Sequence, residues 1–463
     1  MTEDTEITDT LAAVFDYIEA NREDHLQRVI EYVKHPSISA HDIGIREVAA
    51  ILVEHLSGLG FEAEAVPTSG HPMVLGHRCD APGKPTVLLY GHYDVQPPDP
   101  LEAWITPPFE PTIRDGRIYA RGIGDNKGQH FAQLLALEAH LKVTGTLPCN
   151  VIFLLEGEEE IGSPRIAEFV AAHADRLKAD LVVTADGPLH PSGRPIVTFG
   201  VRGMAGFELV VKTGRTDAHS GNHGGTMPNA LWTLVHLLGT MKDAEGRITI
   251  EGLHDPVRPP TNAERAAADS LPVDVPGYLE SMGLGRLDAP ADRPFHDRLM
   301  FHPTLTINGI HGGYGGPGTK TVLPAEAIAK CDIRLVPDMT PEQAVACVRA
   351  HVEKHAPEGE VEVVMSGSGM LPSRTSLDNR FASAVVDAVR TARGVEPYLY
   401  PSIGGSLPDY AFTKTLGLPA FVTPYANADE ANHAPNENLE ISLFHDGIRT
   451  GAALLDRLGR MSI

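Results

Sequence analysis

The sequence predicts an α/β protein with a mostly parallel central sheet, interrupted by an inserted α+β domain of ferredoxin-like order. Three observations predict it. Short runs rich in Val, Leu and Ile alternate with helical patterns up to about residue 200. Strands of alternating polarity then take over. A candidate site residue, His433, lies beyond them, so the first pattern resumes after about residue 369. The boundaries are therefore read as 1–200 plus 370–463 for a discontinuous larger domain, and 201–369 for the insert.

In the larger domain, "TVLLYGHYD", "NVIFLLEGEEE" and "ADLVVTAD" each carry a greasy run without polar alternation. A parallel strand covered on both faces reads this way. Between them lie helical patterns. "NKGQHFAQLLALEAHLKVTG" sets Leu134, Leu135, Leu137 and Leu141 near one side, and "PRIAEFVAAHADRLKAD" repeats the theme over 164–180. In the insert, Phe207, Leu209 and Val211 oppose Glu208, Val210 and Lys212 on a half-buried strand. A helix opened by Pro228, "PNALWTLVHLLGTM", follows. Next come strands "TLTINGI" and "AIAKCDIRLV", then a helix with a Thr340–Gln343 capping box and Pro341 at its first position. "EVEVVMS" completes β-α-β-β-α-β, the ferredoxin-like order. Residues 245–302 read as an irregular excursion with one or two short helices.

Composition narrows the class. A chain of 463 residues exceeds one ordinary core. Its 61 acidic against 38 basic residues give a net charge of −23, which repels nucleic acid and anionic lipid. No run of 18 apolar residues occurs, so no membrane span is expected. The acidic start "MTEDTEITDT" is the reverse of a secretory signal. Cys79, Cys149, Cys331 and Cys347 are scattered, and read as buried core thiols in a reducing cytoplasm.

The chemistry gathers at the strand ends. His92 and Asp94 follow the first run, Glu156 and Glu158–Glu160 end the second, and Asp186 follows the third. In open α/β sheets ligands bind beyond these carboxyl ends. Crowded carboxylates raise one another's pKa, a cost that a multivalent cation removes. Imidazole beside carboxylate points to zinc or another first-row metal rather than magnesium or calcium. Asp125 in "YARGIGDNKGQ" is a further candidate, or a helix N-cap. His433 in "YANADEANHAPNENL" is a ligand candidate, or a solvated loop residue.

In this order, "GHYDVQP", "RGIGDNKG", "EGEEEIGS", "TADGP" and "NHAPNE" resemble the M20 family of metallopeptidases. "INGIHGGYGGPGTKTVLP", "IRLVP" and "GGSLP" resemble its cytosolic, carnosinase-type dipeptidases. The resemblance implies a zinc-peptidase-like catalytic domain with two divalent ions per subunit, zinc or sometimes manganese. It implies that Asp125 bridges the ions, that His92 and Asp186 hold one, and that Glu160 and His433 hold the other. Glu159 is then the general base, and Asp94 accepts the other N–H of His92. Glu156 and Glu158 are left solvated or locally hydrogen-bonded. A cis peptide at Asp125–Asn126 is expected. The insert becomes a lid and homodimerisation domain. Its His219, with His223 as local competitor, stabilises the oxyanion. Arg334, otherwise a surface salt-bridge residue, meets the substrate's C-terminal carboxylate, with Gly405 and Ser406 of "GGSLP" at the same end. The substrate is a small peptide.

The rivals are weaker. "GGYGGPGTKT" lacks the Gly-Lys-Thr order and the following helix of a phosphate loop. No GxGxxG follows the first strand. A non-catalytic metal-binding scaffold is at odds with the presence of Glu159 and all five presumed ligands. An N-acyl-amino-acid deacylase or desuccinylase of the same family is the alternative enzyme.

Overall fold

The computed structural model describes residues 8–288 and 293–463. Within them the chain divides into two compact units. The first comprises the chain up to Gly200, with Arg374–Pro401 and Pro408–Ile463. The second comprises Val201–Ser373 and Ser402–Leu407. The return to the first unit thus falls after Ser373 rather than at 369/370. Ser402–Leu407, expected in the larger domain, belong to the second unit. Hydrogen bonds hold them there: Gly405 O accepts the Arg202 N–H at 3.1 Å, and Ser406 Oγ accepts from Arg334 Nη1 at 2.9 Å.

Eight strands of the first unit form one mixed sheet. Their order is Glu62–Val66, Met73–Arg78, Asn150–Glu156, Thr86–His92, Leu181–Thr184, Ala420–Val422, Ile196–Thr198 and Tyr398–Tyr400. Pairing is parallel through the middle and at the Tyr398 edge, and antiparallel elsewhere. The greasy runs are continuous because both faces are covered. Val151, Phe153 and Leu155 enter one core, while Ile152 and Leu154 enter the other. Register brings the strand ends level, with His92 opposite Glu156 and Tyr90 opposite Thr184.

The helix Lys127–Thr144 is buried at every residue from Lys127 to His140. Its leucines do not mark one side, as expected from the sequence. A helix enclosed all round loses the one-sided pattern of a surface helix. The pattern over 164–180 yields only the short helix Ile166–Ala172. It ends at His173, whose backbone N–H and ring Nδ1 both donate to Phe169 O, at 3.0 and 2.9 Å.

In the second unit, four antiparallel strands run in the order Thr304–Gly312, Glu326–Leu335, Gly203–Lys212, Val361–Met370. Helices Ala230–Met241 and Pro341–His355 cover one face over Phe207, Leu209, Ile333 and Leu335. The first helix opens at Asn229, whose Oδ1 accepts the Leu231 N–H, rather than at Pro228. Thr340 Oγ1 caps the second through the Gln343 N–H at 3.2 Å. The 245–302 excursion contains three short helices, Asn262–Ser270, Val275–Ser281 and Phe295–Met300, one more than the upper expectation. Its residues 289–292 lie outside the described residues, as do 1–7 of the acidic start. Cys149 and Cys331 are buried, but Cys79 is exposed just beyond its strand and Cys347 is half-buried. No helix among the described residues is long and apolar enough to cross a membrane.

Candidate active site

The first unit gathers seven of the expected residues. His92 ends its strand with Nε2 at 3.1 Å from Asp125 Oδ1 and 3.7 Å from Asp186 Oδ2. The second oxygen of Asp125 lies 3.1 Å from His433 Nε2, and that nitrogen lies 3.1 Å from Glu160 Oε2. The two oxygens of Asp125 therefore face different imidazoles. Ligand atoms of His92, Asp125 and Glu160 all lie within 4.8 Å of one another. Asp125 is not the N-cap of the long helix; Asn126 holds that position, and the Asp125–Asn126 peptide is cis. His433 is half-exposed yet engaged by two carboxylates, so it is no idle loop residue.

The glutamates of "EGEEE" divide their tasks. Glu160 leans on His433 and accepts from the backbone and side chain of Gln96 at 3.2 and 2.9 Å. Among the described residues, Glu159 has no hydrogen bond from its carboxylate. Glu156 and Glu158 are not solvated; both are buried. Tyr90 and Ser163 hydroxyls donate to Glu156, and Arg165 and the His71 N–H donate to Glu158. Asp94 departs in part from expectation. Its backbone carbonyl, at 3.1 Å, is nearer His92 Nδ1 than its carboxylate at 3.5 Å. The carboxylate instead accepts the N–H groups of Glu159 and Glu160 at 3.1 and 3.0 Å, which shapes their turn.

Electrostatics mark the cluster as short of positive charge. Burial, then Asp125, pushes Asp186 up to about 7. Burial pushes Glu159 well up, helped by Asp186, Asp125 and Glu160. Burial depresses His92, but Asp125 and Asp94 outweigh it and hold the imidazole well above its usual range. Hydrogen bonds to Asp125 and Glu160 lift His433 to about 10. A mixed nitrogen and oxygen donor set, with one carboxylate shared between two imidazoles, fits a pair of divalent cations.

Three buried polar residues near the cluster were not singled out from the sequence. Asn126 Oδ1 accepts the His92 N–H while its Nδ2 donates to Ala185 O, tying two strand ends together. Glu437 is buried beside Arg121 and accepts the N–H groups of Gly122, Gly124 and Asp125 at 2.8–3.0 Å. Glu430 is buried with neither oxygen hydrogen-bonded, and burial followed by Asp125 pushes it well up. The signal lay in the motifs themselves, since Asn126, Glu430 and Glu437 all stand inside the quoted strings.

The remaining candidates belong to the second unit. Arg334 donates to Ser406 Oγ at 2.9 Å, with its Nε 3.4 Å from Asp332 Oδ1. Exposed His219 accepts the Gly221 N–H on Nδ1, with Nε2 at 3.3 Å from Thr321 Oγ1.

An α/β sheet with carboxylates and imidazoles converging beyond its strand ends is the setting of a metallohydrolase. Residues 88–457 match peptidase family M20/M25/M40. The chain belongs to that family and is an enzyme of the metallohydrolase class. Several relatives match nearly the whole of it. It is 30% identical over 475 residues to the Beta-Ala-His dipeptidase of Rattus norvegicus, covering 98% of this chain and 96% of that one. It is 30% identical over 477 residues to the Cys-Gly metallodipeptidase of Schizosaccharomyces pombe, covering 98% and 99%. Among solved structures, an M20 family metallo-carboxypeptidase from Sulfolobus solfataricus superposes with a TM-score of 0.87 at 35% identity, covering 94% and 99%.

Proposed function

We propose that the chain is a dipeptidase with two divalent ions, zinc in preference to manganese, at the cluster around Asp125. The shared carboxylate carries the reading, since each Asp125 oxygen faces a different imidazole at 3.1 Å. His92 and Asp186 would hold one ion, Glu160 and His433 the other, and Asp125 both. Such ions would polarise a scissile carbonyl and acidify a water, towards a pKa of about 7. Glu159, whose carboxylate accepts no hydrogen bond among the described residues, takes the water's proton and delivers it to the leaving amine. Glu158 is engaged by Arg165 and Glu160 by Gln96, which favours Glu159 over its neighbours for this task. Asp94 positions the pair through their backbone N–H groups.

In the second unit, Arg334 with Ser406 and Gly405 receives the substrate's C-terminal carboxylate, a task that suits a fork of donors. His219 donates to the oxyanion, a role worth about 3 kcal/mol of barrier. Homodimerisation through the insert is supported by exposed apolar residues. Trp232 and Val235 lie on helix Ala230–Met241, and Ile307 and Ile310 lie on the edge strand Thr304–Gly312. Four free thiols support a reducing, cytoplasmic setting.

The likeness to the metallo-carboxypeptidase favours a second reading, removal of C-terminal residues from longer peptides. One experiment separates them. Metal-stripped protein, reloaded with zinc or manganese, is offered dipeptides, tripeptides and N-acetyl or N-succinyl amino acids, with products read by mass spectrometry. We expect metal-restored cleavage of free dipeptides, lost in Glu159→Ala. Preference for longer peptides would support the carboxypeptidase, and cleavage of acylated compounds alone a deacylase. No cleavage with metal bound would return the chain to a scaffold.

A further inference from the structure

Arg202 lies two residues before Met204, the cross-strand partner of Arg334. Alternation along this segment turns Arg202 and Arg334 to the same face, away from the covering helices. Arg202 is only 7% exposed. Its Nε donates to Gly404 O at 2.9 Å, and its backbone N–H to Gly405 O at 3.1 Å. Its Nη1 is buried and has no acceptor among the described residues. Its Nη2 stands 3.3 Å from where a Cβ on Gly404 would lie, whereas a Cβ on Gly405 would meet nothing within 4 Å. The loop is therefore close against the guanidinium at Gly404 and open at Gly405.

The charge is unbalanced. Asp332 is the carboxylate near both guanidiniums, and it is engaged by Arg334 Nε at 3.4 Å. Burial, then the neighbouring Arg334, pulls Arg202 down to about 10. A buried cation lacking an acceptor is costly, and an incoming anion removes that cost. Ser406 Oγ already accepts from Arg334 Nη1, which leaves its own hydroxyl proton free to donate.

We propose that Arg202 is a second guanidinium for the substrate's C-terminal carboxylate, acting with Arg334 and Ser406 to make a free carboxylate a requirement. The inference rests on the dipeptidase reading above. It adds a specificity residue: Arg334 alone would tolerate a neutral C-terminal amide better than the pair does, because the pair leaves two cations unsatisfied.

The test compares alanylalanine with its C-terminal amide on the metal-loaded enzyme, using wild type, Arg202→Gln and Arg202→Lys. The expected result is a KM for the free acid raised roughly tenfold to a hundredfold in Arg202→Gln, with kcat little changed. The loss on the amide should be far smaller, so that discrimination narrows, and Arg202→Lys should recover part of it. Equal losses on acid and amide, or a fall in kcat at unchanged KM, would overturn the proposal and make Arg202 a brace for the Gly404–Ser406 loop. Calorimetric titration of alanine and alaninamide gives a readout independent of turnover. Wild type should bind alanine more tightly than alaninamide, and Arg202→Gln should lose the difference. A wild type that cleaves no dipeptide yet keeps this binding difference would remove the dipeptidase reading and leave Arg202 in place. Cleavage without acid-over-amide discrimination would remove the Arg202 assignment alone. If Arg202→Gln does not fold, Arg202→Lys carries both arms.

Discussion

Asp409 shows what one buried carboxyl does to a fold. It is 1% exposed, its Oδ1 has no hydrogen-bond partner among the described residues, and burial alone pushes it up to about 7. Below about pH 4 the group is protonated in both the folded and unfolded chain and costs nothing. Between about pH 4 and about 7 only the unfolded chain releases the proton, so stability falls as pH rises. Asp409→Asn should therefore gain on the order of a few kcal/mol over wild type near pH 8, and nothing near pH 4. Urea midpoints across that range check it, and a gap independent of pH would contradict it. Glu156 obeys the same physics in a different setting: burial pushes it up to about 8 although Tyr90 and Ser163 donate to it. Sequence order could place four glutamates at a strand end. The resemblance set Glu160 beside His433, but it could not say that Glu156 and Glu158 are buried, because that depends on the packing around the turn that Asp94 holds.

At the scale of elements, the site is a meeting of loops held by buried acids. Glu437 joins the loop of His433 to the loop of Asp125 by accepting three backbone N–H groups and pairing with Arg121, itself 1% exposed. Removing it would leave a buried guanidinium without its partner. Glu437→Ala should lose about 3–5 kcal/mol in urea unfolding, and Glu437→Gln clearly less, since the amide oxygen still accepts. Equal losses in both variants would show that charge rather than hydrogen bonding holds the loop. The strands were legible because a doubly covered strand is apolar on both faces through its middle, with polar residues confined to its ends. The helix over 164–180 was misjudged in length because its apolar spacing continues to Leu177 while the helix ends at His173, whose backbone N–H and ring Nδ1 both donate to Phe169 O.

For the whole molecule, a net charge of −23 accompanies an acid cluster in which His92, Asp125 and Glu160 present ligand atoms within 4.8 Å of one another. Cations that bind there bind the folded chain alone, so their removal lowers stability by mass action. Chelation should lower the melting temperature by several degrees, and zinc or manganese should restore it. A midpoint indifferent to metal in a calorimetric scan would contradict this. If the insert pairs two copies through Trp232 and Ile310, Trp232→Glu should shift the sedimenting species from dimer to monomer. Unchanged sedimentation would move the interface elsewhere.

By itself the sequence determined the α/β class, the ferredoxin-like insert and the identities of the ligand candidates, because periodicity and residue type are local properties. Only the tertiary structure decided that Asp125 offers one oxygen to each of two imidazoles that lie 341 positions apart in the chain (His92 to His433). It also decided that Ser402–Leu407 leave the larger unit, and that Arg202 is buried beside Arg334 with a nitrogen unsatisfied. These facts depend on which strand ends and loops come together. That is set by long-range packing and hydrogen bonds, which no short window of residues contains.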